Sequence, residues 1–389
     1  MVPWNVTWAA QPAKWWKADY LVPYCVTCKD ACPACVEGQF ANHKLDCKDM
    51  YAYDESIASR SWKLGEILTI IMAHAQELLP KKMLAINVGA ADGFGGRMDP
   101  TFDLFAAHPN VSGILLDVQT NEFYFKDWVK RDNMKFFLGP ENMPGPLDYG
   151  KFLLTHKAPK HLTAVKIDID SWECTILQNL LDNGYSSVMF HIEFNPTVHL
   201  PIRFFPIYTG KEEEEEYDQE IWQMRSEFYG CSLASIADIL MPAGYVLLEV
   251  DGWDSTWVHN KFASLFQPLP ADLSTAWVAG WESRNKPYNN NSIPCLHRDP
   301  KLYSAELSRL CHGIAHAVAH QDQVMIDAKM SHIRAHFEKV ASHKKVNGSS
   351  HPFFLNYTGA HDQHSRCIEQ PHLKQDRRLR LGVWSGDMV

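Results

Sequence analysis

Long apolar runs are missing from this sequence. Its best stretch, residues 67–73, is seven residues long, against the roughly 20 that cross a bilayer, so no membrane span is expected. An excess of positive charge is missing too. The net charge of −9 argues against a nucleic-acid partner, which needs a basic face. The first residues, Met1-Val2-Pro3-Trp4-Asn5, show neither a basic segment nor an apolar one, and no signal peptide is visible. There is no Gly-x-Gly-x-x-Gly and no internal repeat. These absences leave a small molecule, a lipid or a glycan as the expected partner class.

Apolar residues make up 46% of the 389-residue chain, with 13 Trp and 19 Phe, enough for a large core. Asn-x-Ser/Thr triplets occur at Asn5, Asn110, Asn290, Asn347 and Asn356, and ten Cys would suit an oxidising compartment if paired. The compartment stays open: secretory lumen or exterior if the N-terminus is processed, cytoplasm otherwise.

Residues 1–54 are Cys-rich and aperiodic and read as an appendage. From 55 to 79, Ile57, Leu64, Ile67, Leu68, Ile71 and Leu78 recur at helical spacing, and Pro80 ends the helix. Short apolar strands are then predicted at 83–88, 112–118, 135–138, 163–168, 187–194, 245–250 and roughly 258–265, with helices at 173–183 and 232–240. Near-continuous apolar strands alternating with helices predict a Rossmann-like, doubly wound, mostly parallel sheet covered on both faces. This domain is expected to span 55–285. Residues 286–389 begin with a polar linker, continue as a helical, His-rich region to about 343, and end in a polar, irregular tail.

The first strand runs into Asn87-Val88-Gly89-Ala90-Ala91-Asp92-Gly93. Glycines here permit a sharp turn and close approach of a ligand, which in an open α/β sheet sits at the carboxyl ends of the strands. A carboxylate at Asp92 disfavours the pyrophosphate of a dinucleotide but suits the sulfonium or amino group of S-adenosyl-L-methionine. Asp117, closing the second strand, is placed to accept from ribose hydroxyls. Asn87, Gly89, Ala90, Asp92, Gly93 and Asp117 are the predicted cofactor-binding residues.

Two later strand ends carry carboxylates: Lys166-Ile167-Asp168-Ile169-Asp170-Ser171-Trp172-Glu173 and His191-Ile192-Glu193. Asp168, Asp170 and Glu193 are expected to converge near the glycine turn as candidate catalytic groups. They could remove a hydroxyl proton, hold a divalent cation, or bind the methionine end of the cofactor. Asp170 or Ser171 also suits a helix cap. His191 is a further base candidate or a hydrogen-bonded core histidine, and Cys174 reads as a buried thiol.

At these residues the chain resembles a known family. Residues 85–93 are similar to the first motif of class I methyltransferases, and 165–177 resemble the Lys-Ile-Asp-Val-Glu-Gly-x-Glu signature of the FkbM family. The resemblance covers about residues 55–265. It implies a seven-stranded sheet, S-adenosyl-L-methionine as cofactor, and O-methylation of a hydroxyl on a sugar, glycolipid or other small molecule. Asn87 stands where an acidic residue is common, Asp170 replaces Glu, and Ser171-Trp172 replaces a small pair. A Trp there is expected to narrow the acceptor pocket or change its class. Alternatives are a binding or scaffold protein that kept the fold without turnover, and a nicotinamide oxidoreductase, which the missing dinucleotide motif disfavours.

Cys25, Cys28, Cys32 and Cys35 form two Cys-x-x-Cys pairs. The spacing serves disulfides, with Cys47 joining, or a tetrahedral thiolate site for a structural metal. His312, His316 and His320, then His332 and His336, lie four apart. A polar exposed helix face is expected, since no Glu stands between them as a protease base.

Overall fold

The computed structural model describes residues 62–90, 99–118, 131–208, 230–266, 269–270, 273–277, 307, 310–311, 314, 317, 322–343 and 353–357. The cysteine cluster at 25–35, Asp92, Gly93, His312, His316 and His320 lie outside these residues.

Strands β1 (Leu84–Val88), β2 (Ser112–Asp117), β3 (Met134–Leu138), β4 (His161–Ile167), β5 (Ser186–Glu193), β7 (Tyr245–Asp251) and β8 (Asp254–His259) form one sheet. Its order is β3-β2-β1-β4-β5-β8-β7. Strands β1 to β5 pair in parallel, and β8 enters antiparallel between β5 and β7. This is the Rossmann-like sheet expected from the sequence. The order reverses between β1 and β4, the place where an open α/β sheet leaves a crevice at its carboxyl edge.

Register explains both cores. Ala85, Ala164, Met189 and Val258 lie side by side across β1, β4, β5 and β8 and belong to one apolar cluster. Ile86, Val165, Phe190 and Trp257 form the adjacent row and belong to the cluster on the other face, as the period-2 alternation of strands requires. Helix α1 (Leu64–Ala75) buries Ile67, Leu68 and Ile71 in the first cluster, alongside α2 (Pro100–Ala107). A Cβ on Gly65 would come 2.9 Å from that of Ala107, so glycine lets these two helices approach. On the opposite face, α4 (Glu173–Asp182) and α5 (Leu233–Leu240) bury Ile176, Leu177, Ile236 and Leu240. Helix α3 (Tyr149–Thr155) joins them through Tyr149 and Leu153.

Three readings of the sequence are corrected. The predicted strand at 258–265 begins earlier: β8 starts at Asp254 after the Gly252-Trp253 turn, and residues 260–265 are a tight helical turn. The tail expected to be irregular contains β9 (Phe353–Tyr357), which pairs antiparallel with β6 (Ile202–Pro206) in a separate two-stranded sheet. Helix α6 (Gln323–His343) turns Ile333 and Phe337 toward this sheet, and His336 is buried while His332 is exposed, so that pair is not a uniform exposed face. Among the described residues no helix is long and apolar enough to cross a membrane.

Candidate functional site

One residue nearer the carboxyl edge, the sheet carries a polar row. Asn87, Lys166, His191 and Thr256 are register partners across β1, β4, β5 and β8, and all four are buried. They share the face of the Ala85-Ala164-Met189-Val258 row. Buried polar groups need partners, and the loops beyond the strand ends supply them.

Lys166 is the centre of this network. Its ammonium donates to the Gly89 carbonyl at 2.7 Å and pairs with Asp168 at 2.8 Å and Asp99 at 3.2 Å. Burial alone would favour its neutral form. The two carboxylates outweigh burial and hold the ammonium charged, with its pKa above the ordinary lysine value. Asp99 is the N-cap of α2: one carboxylate oxygen accepts from the Thr101 amide at 2.8 Å, and the other accepts from the Asn87 amide, also at 2.8 Å. Asn87 donates to the Thr101 hydroxyl as well. Its amide nitrogen is thus spent inside the protein, tying β1 to the start of α2, while its Oδ1 is buried with no hydrogen-bond partner among the described residues.

Gly89 has φ +84°, and a Cβ there would fall 1.6 Å from the Asp168 carbonyl oxygen. Glycine is required because β1 and β4 exit in contact, with the Asp168 amide donating to the Val88 carbonyl at 3.0 Å. The expectation that this glycine serves ligand approach is therefore sharpened: it first serves the meeting of two strand ends. The amides of Gly89 and Ala90 both donate to the Leu116 carbonyl, which brings the turn beside Asp117. Asp117 is buried at the end of β2, and its carbonyl accepts from the Gly139 amide at 2.9 Å.

The predicted convergence of Asp168, Asp170 and Glu193 is present. Oxygens of all three lie within 4.8 Å of one another. Glu193 is buried, whereas Asp168 and Asp170 are partly exposed. Burial first, then the Asp168 and Asp170 charges, push the Glu193 carboxyl well above its ordinary range. Asp168 is held ionised below its ordinary value: the Lys166 ammonium and a hydrogen bond from Glu193 outweigh its burial. A proton shared by the pair is therefore biased toward Glu193. The same three carboxylates could ligate a divalent cation or hold a positively charged ligand group, with Asp168 already paired to Lys166.

His191 is engaged at both ring nitrogens, with the Thr256 hydroxyl at 3.0 Å and Asp254 at 3.4 Å. Burial lowers its pKa, and Asp254 more than restores it, so the ring is biased toward its charged form. This arrangement suits an electrostatic role better than a base.

The loop after β4 departs from its expected capping. The N-cap position of α4 is Trp172, which makes no side-chain capping bond. Glu173 instead reaches back, and one of its oxygens accepts from the amides of Ile169 and Ser171, each at 3.0 Å. Burial pushes Glu173 up to about 7 despite those amides. Asp170 takes φ +64°, a left-handed conformation that Asp tolerates better than most residues. Trp172 is buried against Tyr208, with ring centroids 5.4 Å apart, in the cluster that holds Phe204, Ile333 and Phe337. Cys174 is not a thiol but a disulfide with Cys231, joining the start of α4 to the segment before α5.

Lys166, Asp99, Asp254, Glu173 and Cys231 were not singled out from sequence. Two carried a signal: Asp99-Pro100 is an N-cap followed by a first-turn proline, and a lysine inside an apolar strand demands a buried counter-ion.

No family model matches the chain, and no curated protein matches it. Solved structures with a similar arrangement include OxaC in complex with SAH and oxaline, at 12% identity over 55% of this chain and 53% of that one, TM-score 0.28. The O-methyltransferase NcsB1 from neocarzinostatin biosynthesis, in complex with S-adenosyl-L-homocysteine and 1,4-dihydroxy-2-naphthoic acid, matches at 14% over 55% and 60%, TM-score 0.25. Human N-acetylserotonin methyltransferase in complex with SAM matches at 12% over 64% of each chain, TM-score 0.27. The matched parts span between about half and two thirds of those structures.

Proposed function

We propose that the chain is an S-adenosyl-L-methionine-dependent methyltransferase acting on a hydroxyl of a small molecule, sugar or glycolipid. One observation carries the reading. Strand order puts the buried carboxylate that ends β2, Asp117, on one side of β1 and the Asp168–Glu193 pair with Asp170 on the other, all at the carboxyl edge of the sheet. This donor set fits the cofactor: Asp117 suits ribose hydroxyls, and Asp168 with Asp170 suits its positive sulfonium and ammonium. The same set would repel a pyrophosphate. The FkbM-like signature at 165–177 supports the same reading and the choice of a hydroxyl acceptor.

The cofactor, when bound, supplies an electrophilic methyl group on sulfur. The protein's task is then to orient a hydroxyl and dispose of its proton. Asp168, anchored by Lys166, accepts a hydrogen bond from the hydroxyl and aims its lone pair. Glu193 keeps the shared proton, so Asp168 stays the acceptor. Asp168 would take up the proton that the hydroxyl gives up. Positioning supplies most of the rate in such a displacement, and the carboxylate's contribution as base is about 10²- to 10⁴-fold.

Calorimetric titration with S-adenosyl-L-methionine, S-adenosyl-L-homocysteine and NAD tests the reading. Both adenosyl ligands are expected to bind, and NAD is not. Failure of both to bind would overturn the proposal. Tight binding with no transfer to any hydroxyl acceptor offered would favour a binding or scaffold role.

A further inference from the structure

We infer that Asn110 carries an N-linked glycan, and that the chain matures where both lipid-linked oligosaccharide and a thiol oxidant are present. The inference is independent of the methyltransferase reading. Asn110-Val111-Ser112 forms the turn from α2 into β2 and is an Asn-x-Ser acceptor triplet with no proline at its centre.

The turn is built to present this asparagine. Val111 is fully buried, and its amide donates to the His108 carbonyl at 3.0 Å. The Asn133 side chain holds the carbonyls of Pro109 and Val111 from below, each at 3.0 Å. With the backbone on both sides of it anchored, Asn110 is exposed. Its place in the sheet also suits a bulky group. Ser112 is the first residue of β2 and Asp117 the last, so the turn lies at the end of the sheet opposite the candidate site. Six residues of strand put about 17–20 Å between them. The other acceptor asparagine among the described residues, Asn356, lies within paired strand β9 and is partly buried, so the assignment is confined to Asn110.

The Cys174–Cys231 disulfide is the independent observation. Both sulfurs lie in the core between α4 and α5. Making the bond removes two electrons and two protons from two thiols, which a thiol oxidant accepts. Disulfides of this kind persist where proteins are secreted and are rare in the cytosol. The secretory compartment also holds the glycosyl donor. In the transfer, the bond between the first sugar's anomeric carbon and the lipid diphosphate breaks. The bond from that carbon to Asn110 Nδ2 forms, the amide loses a proton, and the lipid diphosphate leaves.

The test uses the full-length protein isolated from its own cells, with free thiols blocked before any reduction. Peptides are then deglycosylated enzymatically in heavy-oxygen water and read by mass spectrometry. Heavy-oxygen aspartate at position 110 and a linked Cys174/Cys231 peptide pair are expected. Unmodified Asn110 in every copy would overturn the glycan, and blocked, unlinked Cys174 and Cys231 would overturn the compartment. In parallel, the full chain is passed through the secretory pathway of a eukaryotic host. Asn110→Gln and Ser112→Ala should each lose one glycosidase-sensitive step in gel mobility without a change in melting temperature. Ser112→Ala leaves Asn110 in place, so an unchanged mobility for that variant would also overturn the assignment.

Discussion

Lys166 on β4 and Gly89 at the exit of β1 are joined by a 2.7 Å hydrogen bond from ammonium to carbonyl, at a strand position where its neighbours along the chain are apolar. The lysine binds the turn that follows β1, the cap of α2 and the carboxylate after β4 into one unit. Its value is conditional on all three partners, since a buried charge without its counter-ion is costly.

Lys166→Met should therefore destabilise the fold by roughly 3–5 kcal/mol, the cost of leaving buried carboxylates uncompensated. Urea unfolding measures this. Adding Asp99→Asn to the lysine variant should recover part of the loss, because the two residues share one network. Strictly additive losses would separate them.

Gly89→Ala should cost at least about 3 kcal/mol, combining a left-handed backbone with a steric overlap. The obstacle is the main-chain oxygen of Asp168. Asp168→Asn in the same chain should give no relief, which thermal unfolding of the single and double variants would show.

Glu173 makes stability depend on pH. Its folded value, about 7, lies above the ordinary 4.5, so the fold favours the protonated carboxyl. That contribution is complete below 4.5 and is lost as pH rises through about 7. Glu173→Gln should match the parent near pH 4.5 and exceed it near pH 8, by up to about 3 kcal/mol from the size of the shift. Denaturant midpoints across this range should diverge upward. Parallel curves would mean that Glu173 is not the titrating group.

The carboxyl pair predicts an asymmetry in turnover. Asp168→Asn should lower kcat by about 10²- to 10⁴-fold. Glu193→Gln should lower it by less than about tenfold, since an amide donates to Asp168 as the protonated carboxyl does. The reverse order in a methyl-transfer assay would move the base to Glu193.

Some of this was readable in the chain because parallel strands buried on both faces must be apolar throughout; β1, β2, β4 and β5 were recognisable for that reason. Asp168 and Glu193 stood out as charges that end such runs. The polar row stayed hidden because nothing near Lys166 in sequence says that Asn87 and His191 lie beside it; register between distant strands is a tertiary property. Strand β6 was missed because Ile202-Arg203-Phe204-Phe205-Pro206 is short, ends in proline, and pairs only with residues far along the chain. Strand β8 was misplaced because Phe262 and Leu265 extend the apolar pattern past its real end, while the Gly252-Trp253 turn marks its real beginning.

The pairing of β6 with β9 also sets an order of assembly. During synthesis β9 is the last of the described elements to emerge, so the central sheet can close while Ile202–Pro206 still presents an unpaired edge. An unpaired strand edge is a template for another chain. Until the C-terminal strand arrives, a nascent chain has an aromatic edge open to aggregation, and a ribosome stalled before Phe353 would leave it so.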